Sequence, residues 1–346
     1  NIVINGDMVF AQRQTSVSVT ASNTPTYSLD RMSAWNYPNT STAVATWAKD
    51  GPSFPDDGDM APGFSSYGRY TTTTAQATLG TNNFAGIQYL PEGYDLGAIK
   101  WGTPEALSST VSFWVRSSLP GKYSFNMQVA ASSTFRYTIP YTINVANVWE
   151  KKVIHIPAFP QSNVYGVTAG IGVGVYMFWA VALGSSYLAT DEGLTTNGVQ
   201  YGVTGMNNLL GTLNATFDLT GIQWEVGDNA TDFEYLNYGD ELRLCQRYFQ
   251  IVPITNAYVS AATQVNGNYS LMTSMRTQPT IGLTGVIEVN DNSVNNTQSS
   301  ATFFSYGTGQ IKFVQLTSFT GLTVNRPVIM RFDANNNLLT LRAEIQ

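Results

Sequence analysis

One histidine, His155, and one cysteine, Cys245, set the limits of the chemistry this chain can carry. A Ser-His-Asp or Cys-His nucleophile would have to recruit His155. That residue lies in Val153-Ile154-His155-Ile156-Pro157, a run that reads as a strand. A Cys/His zinc site needs several such ligands and cannot be assembled, and a disulfide within the chain needs a second thiol. The catalysis that survives is a carboxylate pair acting on a glycosidic bond, and Asp56, Asp57, Asp59 and Glu92 are the acids that would supply it. Nothing in their spacing fixes the roughly 5–9 Å between carboxyl groups that such hydrolysis uses. The acidic run Asp50–Asp59 lacks the spaced ligands and terminal Glu of an EF-hand and reads as an exposed loop.

Binding is better provided for. The chain has 17 Phe, 19 Tyr and 7 Trp, enough for a platform on which the apolar face of a pyranose stacks. Trp35, Tyr37, Trp47 and Tyr67 lie outside the clearest strand patterns and are the candidate ligand-binding residues. The competing reading has them lining loops and subunit contacts. With 23 acidic against 17 basic residues the net charge is −6, which leaves no basic face for phosphates and excludes nucleic acid as a partner. Charged residues make up only 12%, about half the roughly 25% of an ordinary domain. Interfaces built from such a surface rely on hydroxyl, amide and aromatic groups and depend weakly on salt.

These side chains must be held by strands. Apolar and polar residues alternate through Val111–Arg116 and Tyr123–Val129, separated by Leu119-Pro120-Gly121-Lys122, which reads as strand, turn, strand. Further strands are expected at Tyr137–Asn144, Glu150–Ile156, Gly172–Ala182 and Thr216–Glu225. The longest apolar stretch, Ala169–Leu183, falls short of the roughly 20 residues of a membrane helix. Its alternating glycines make it a buried strand pair, so no membrane insertion is expected. The opening Asn1-Ile2-Val3-Ile4 has no basic region of a signal peptide, and the missing initiator Met points to a segment upstream. One helix breaks the pattern, Tyr238–Phe249, with Asp240 and Glu241 at its start and Leu242, Cys245 and Phe249 on one apolar face. The fold class is therefore all-β: an N-terminal jelly-roll β-sandwich over 1–236, a short linking helix over 237–250, and a small C-terminal β-sandwich over 251–346.

Three segments carry a family resemblance. Asn1-Ile2-Val3-Ile4-Asn5-Gly6-Asp7 running into Ala11-Gln12-Arg13, and Tyr27-Ser28-Leu29-Asp30-Arg31-Met32, resemble the opening elements of tailed-bacteriophage virion proteins, with Met32 where Trp is usual. Leu219–Glu234 followed by Tyr238–Phe249, including Leu244-Cys245-Gln246-Arg247-Tyr248, resembles the segment that closes their first module. In the tail, Met275-Arg276-Thr277-Gln278-Pro279-Thr280 resembles a motif of the β-domain that often follows.

The resemblance implies a jelly roll like that of carbohydrate-binding modules, carried on a tail fibre, receptor-binding protein or capsid-decorating (head fibre or cement) protein. It implies a non-enzymatic structural role at the virion surface after synthesis in the host cytoplasm. The implied partners are further copies of the chain as a homotrimer, other virion proteins and host surface polysaccharide. No cofactor is required. Modules of this kind often hold a structural calcium between first and last strands, and the matching positions are around Asp7 and Glu225. The alternative for both acids is surface hydrogen bonding. The long Asn36–Tyr70 stretch reads as an insertion relative to the family pattern.

Overall fold

The computed structural model describes residues 1–38, 41–51, 60–130, 135–159, 170–190, 192–195, 199–284, 287–290, 295–298, 303–306, 311–317, 319–332 and 338–344. The chain divides into two compact units, Asn1–Asn237 and Tyr238–Glu344.

The first unit is a sandwich of two antiparallel sheets. Its strands are β1 (Ser16–Val19), β2 (Thr26–Tyr27), β3 (Met32–Tyr37), β4 (Val44–Asp50), β5 (Tyr67–Thr74), β6 (Phe84–Tyr89), β7 (Ser109–Ser117), β8 (Gly121–Val129), β9 (Arg136–Ile143), β10 (Glu150–Ile156), β11 (Val175–Leu183), β12 (Leu188–Ala189), β13 (Gly193–Thr195), β14 (Gly202–Val203) and β15 (Thr216–Val226). One sheet has the order β1-β4-β5-β15-β7-β10 and the other β13-β9-β8-β11-β6-β3-β2. Alternation decides which side chains meet between them. Val111, Phe113 and Val115 of β7 and Val175, Met177, Trp179 and Val181 of β11 all enter the shared core. There Trp179 packs against Phe113 and Phe125 at ring separations of 5.8 and 5.0 Å. Fully burying each such side chain contributes about 1.5–3 kcal/mol.

Several expectations change on this frame. The Pro120-Gly121 turn joins β7 to β8, which belong to different sheets, so it is a corner of the sandwich and not a hairpin. Ala169–Leu183 supplies one described strand, β11, and not a pair. The insertion-like Asn36–Tyr70 stretch contains all of β4 and the start of β5, both integral to the six-stranded sheet. Residues 52–59, with Asp56, Asp57 and Asp59, lie outside the described residues.

Residues 1–13, 27–32 and 219–226, which carry part of the family resemblance, are tied into this sandwich by hydrogen bonds. Asn5 donates from Nδ2 to the carbonyls of Phe10 (3.0 Å) and Asp30 (2.8 Å) and accepts the Phe10 N–H at Oδ1 (2.9 Å). The buried Asp30 carboxylate accepts from Gln12 Nε2 (2.8 Å) and Arg13 Nη1 (3.1 Å). Arg31 lies over the Tyr89 ring and donates to the Leu90 carbonyl. Tyr89 in turn accepts the Ile4 N–H (2.9 Å). Gly6 receives the Ile222 N–H at its carbonyl (2.9 Å), and a Cβ at Gly6 would stand 2.1 Å from the Ile222 oxygen. Only glycine permits that approach.

The second unit begins with α1 (Tyr238–Gln246), whose Asp240 and Glu241 oppose the dipole of the first turn and whose Cys245 is buried. It ends before Phe249, which opens β16 (Phe249–Val252). There follow β17 (Thr255–Ala261), β18 (Gln264–Ser270), β19 (Thr280–Thr284), β20 (Ile287–Asn290), β21 (Asn295–Gln298), β22 (Phe303–Tyr306), β23 (Ile311–Thr317), β24 (Ile329–Phe332) and β25 (Leu338–Arg342). They form sheets β16-β25-β19, β17-β18-β23-β22 and β21-β20-β24 around a core that includes Val252, Val265, Tyr269, Leu316, Leu339 and Leu341. The unit is a small β-sandwich. Among the described residues no helix is long and apolar enough to cross a membrane.

Candidate functional site

The four aromatic residues singled out from sequence all lie in strands, and the pleat distributes them. Trp35 and Tyr37 of β3 come together on the outer face of the seven-stranded sheet, around Phe84 of β6. Phe84 stacks on Tyr37 (4.8 Å) and Tyr201 (5.3 Å) and meets Tyr187 and Phe178 edge-on (5.4 and 5.8 Å). Trp35 Nε1 donates to Gln88 Oε1 (2.9 Å). Arg136 sits 4.0 Å above the Tyr201 ring, and Asn126 donates to Thr138 Oγ1 and to the Gln200 carbonyl. The chain after β11, through Tyr187, Tyr201 and Met206, thus covers this face, and the rings occupy one another's stacking surfaces.

Trp47 is no ligand platform: it points inward from β4, fully buried in the shared core. Tyr67 is 2% exposed on the outer face of the six-stranded sheet. Trp149 meets its ring edge-on at 5.4 Å, and the guanidinium groups of Arg69 and Arg116 lie 5.1 and 5.3 Å from its centroid. Both arginines converge on Asp218, itself 1% exposed, with N–O distances of 2.8 Å. The Asp218 contact is the chief cause that pushes the Arg69 guanidinium above its ordinary value.

Further along the same outer face the surface opens. Between Thr220 and Gln223, β15 slips out of register with β7. The irregularity contains Gly221 at φ 59°, where a Cβ would stand 2.5 Å from the Phe64 ring. A bulge of this kind re-aims the strand and leaves a recess beside it. The segment Thr231–Tyr235 returns along the recess and is pinned there. Gln223 Nε2 donates to the Asp232 carbonyl (3.1 Å), Gln223 Oε1 accepts the Glu234 N–H (2.8 Å), and the Tyr235 hydroxyl donates to the Gly63 carbonyl (2.6 Å). Phe233 packs between Phe64 and Tyr235 at 5.0 and 4.8 Å.

The result is a groove of about 250 Å³ lined by Ser112, Trp114, Lys151, Gly221, Asp232 and an aromatic wall of Phe64, Phe233 and Tyr235. Lys151 on β10 is the direct cross-strand partner of Trp114 on β7, so ammonium and indole share one side. Trp114 is half-buried, and Lys151 and Asp232 are exposed. Among the described residues neither charged side chain forms an ion pair or hydrogen bond. Chemically, the groove offers an aromatic face for stacking, a cationic donor and an anionic acceptor. Sequence reasoning missed Trp114 although its signal was present: in Val111–Arg116 it falls on the polar side of the alternation.

The remaining candidates stand apart. Thr220, whose hydroxyl donates to the Asp7 carbonyl, and Glu225 lie on opposite sides of the β15 irregularity. Asp7 Oδ1 is buried without a hydrogen-bond partner among the described residues. Burial pushes its carboxyl up, outweighing the Val9 and Asp7 N–H groups and the Lys49 charge. Glu225 shifts the other way. Burial raises it, but hydrogen bonds from the Thr231 N–H and hydroxyl and from the Gln223 amide hold it below the usual range. The two acids thus have different hydrogen-bond surroundings, and among the described residues no group of three His, Cys, Asp or Glu side chains is placed to hold a metal. Glu92 is 2% exposed, at the start of a 3₁₀ turn where its N–H bonds the Asp95 carboxylate (2.8 Å). His155 is exposed on β10, with Nδ1 3.4 Å from Thr110 Oγ1.

No protein-family model matches the chain, and no curated protein matches it. Among solved structures, it is similar to a putative sugar-binding protein from Bacteroides thetaiotaomicron VPI-5482, at 9% identity over 66% of this chain and 100% of that one, with a TM-score of 0.34. It is similar to the enzymatically active domain of bacteriophage CBA120 tailspike protein 4, at 11% identity over 66% of this chain and 21% of that one, TM-score 0.31. A third likeness is to a family 11 carbohydrate-binding module from Clostridium thermocellum in complex with a β-1,3-1,4-mixed-linked tetrasaccharide, at 8% identity over 64% of this chain and 100% of that one, TM-score 0.28.

Proposed function

We propose that this chain is a non-enzymatic structural protein of a tailed-bacteriophage virion surface, a tail-fibre or appendage component whose N-terminal sandwich binds host polysaccharide in the groove beside Trp114. The observation that carries the binding role is that groove. It is open, it has an indole on one wall, and among the described residues its charged side chains have no hydrogen-bond or ion-pair partner. A pyranose presents an apolar C–H face for the ring and hydroxyls that both donate and accept. Two aromatic walls and a few polar groups suit that mixture.

The virion assignment rests on the sequence resemblance of Asn1–Arg13, Tyr27–Met32, Leu219–Glu234 and Tyr238–Phe249 to phage virion proteins. The same resemblance supports assembly as a homotrimer. Glycan-array binding by the full chain, lost in Trp114→Ala at unchanged melting temperature, is the expected result. Array silence combined with binding to purified capsids would replace this reading with capsid decoration. Release of reducing ends from a bound polysaccharide would replace it with a depolymerase.

A further inference from the structure

We infer that the Trp114 groove selects an uncharged sugar, holding the terminal pyranose of a neutral glycan between Lys151 as donor and Asp232 as acceptor. This rests on the reading of the groove as a saccharide site and adds what that site discriminates. The lining contains one cation and one anion, Lys151 and Asp232, and no other charged residue. Neither is neutralised by a described neighbour. They are also not paired with each other, since no contact within 4.0 Å joins them. Two opposite charges held apart across a recess are satisfied together by a ligand with no net charge whose hydroxyls reach both. One hydroxyl accepts from the ammonium and another donates to the carboxylate. A uronate would gain Lys151 but face Asp232, and a protonated amino sugar would gain Asp232 but face Lys151. Like charges brought together disfavour the wrong ligand.

The backbone that carries the two groups is anchored on both sides of the recess. Lys151 rises from a strand, opposite Trp114. Asp232 is carried on a loop whose backbone is tied to β15 by Gln223 on both sides of it, through the Asp232 carbonyl and the Glu234 N–H. At about 250 Å³ the recess lies just below the range of sites for drug-sized ligands. That size suits one ring, with the rest of the glycan outside.

The test measures binding of methyl glucoside, methyl glucuronide and methyl glucosaminide to the full chain, by Trp fluorescence and saturation-transfer NMR, at a pH where the amine is protonated. The neutral glycoside is expected to bind about tenfold more tightly than either charged one. Asp232→Asn should raise affinity for the glucuronide and not for the glucosaminide. Lys151→Gln should do the reverse. These are gains of binding, which a variant that merely misfolds does not produce. A wild-type preference for a charged probe, or exchanges that move all three affinities alike, overturns the neutral-sugar selection while leaving the groove a saccharide site. Binding unaffected by Trp114→Ala, or no binding of any probe, removes the groove itself and this inference with it.

Discussion

The outer faces of the two sheets in the first unit are both rich in aromatic residues, yet they have opposite availability. On the seven-stranded sheet, Trp35, Tyr37, Phe84, Phe178, Tyr187 and Tyr201 close on one another beneath the chain that follows β11. On the six-stranded sheet, buried Tyr67 is covered by two arginines, one of which also lies over half-buried Trp149, while Trp114 a short way along borders an open recess. The comparison separates residue type from residue role. A ring becomes a binding surface only where nothing in the same chain fills its face, and here Trp114 lines the recess that also contains Gly221.

The sharpest way to break the comparison is to attack the sealed part of the six-stranded sheet. Asp218→Ala leaves Arg116, which is nearly buried, and half-buried Arg69 without their shared carboxylate. Removing one partner of a buried ionic cluster costs about 3–5 kcal/mol. Urea denaturation followed by Trp fluorescence should show that loss, and a loss under 1 kcal/mol would mean the network is wet and the face not sealed. Next is Phe84→Ala, the hub of the ring cluster on the other sheet. Emptying its place should cost about 3 kcal/mol. A much smaller cost would show that the rings are loosely gathered and free to turn towards a ligand.

The two tryptophans then give the direct contrast. Trp35→Ala should lower stability by about 1–2 kcal/mol, through its ring contact with Phe84 and its bond to Gln88, and leave glycan binding unchanged. Trp114→Ala should change stability by less than about 1 kcal/mol and weaken binding at least tenfold. Calorimetry and glycan binding on the same preparations check both. An exchange of these outcomes would move the site to the seven-stranded sheet.

The sequence made one of these faces easier to read than the other. Alternation in Val111–Arg116 and Tyr123–Val129 is regular because one side of each strand enters the shared core, so the all-β sandwich was legible. Trp35, Tyr37, Trp47 and Tyr67 looked like loop residues because β3, β4 and β5 carry polar or small residues on both sides. Asn36 and Thr72, for example, are buried and hydrogen-bonded to backbone carbonyls. A periodicity test that counts only apolar positions does not register such strands. The turn at Pro120-Gly121 announces a reversal but not whether the returning strand pairs or crosses to the facing sheet. The groove was out of reach for a related reason: Trp114, Lys151, Gly221 and Asp232 come from four segments, joined by a bulge that only the pairing of β15 with β7 reveals.

The smallest effect concerns the two acids that sequence resemblance placed together. Asp7 has its folded pKa raised by burial above the ordinary aspartate value of 3.8. Between the unfolded and folded values the native state therefore binds more protons than the unfolded chain. Stability contributed by this group falls as pH rises through that window and stays lowered above it. Glu225, held below its ordinary value by Thr231 and Gln223, has the opposite sign: its contribution is present at neutral pH and disappears as pH falls through its folded value. Asp7→Asn should therefore melt higher than the wild type at neutral pH, with the difference closing in acid. Glu225→Gln should melt lower at neutral pH, with its difference closing in acid as well. Melting curves across pH, with and without chelator, read both signs at once. If Asp7→Asn instead melts lower and chelator brings the wild type down to meet it, the unpartnered Oδ1 is a cation ligand, and its burial serves the ion instead of opposing the charge.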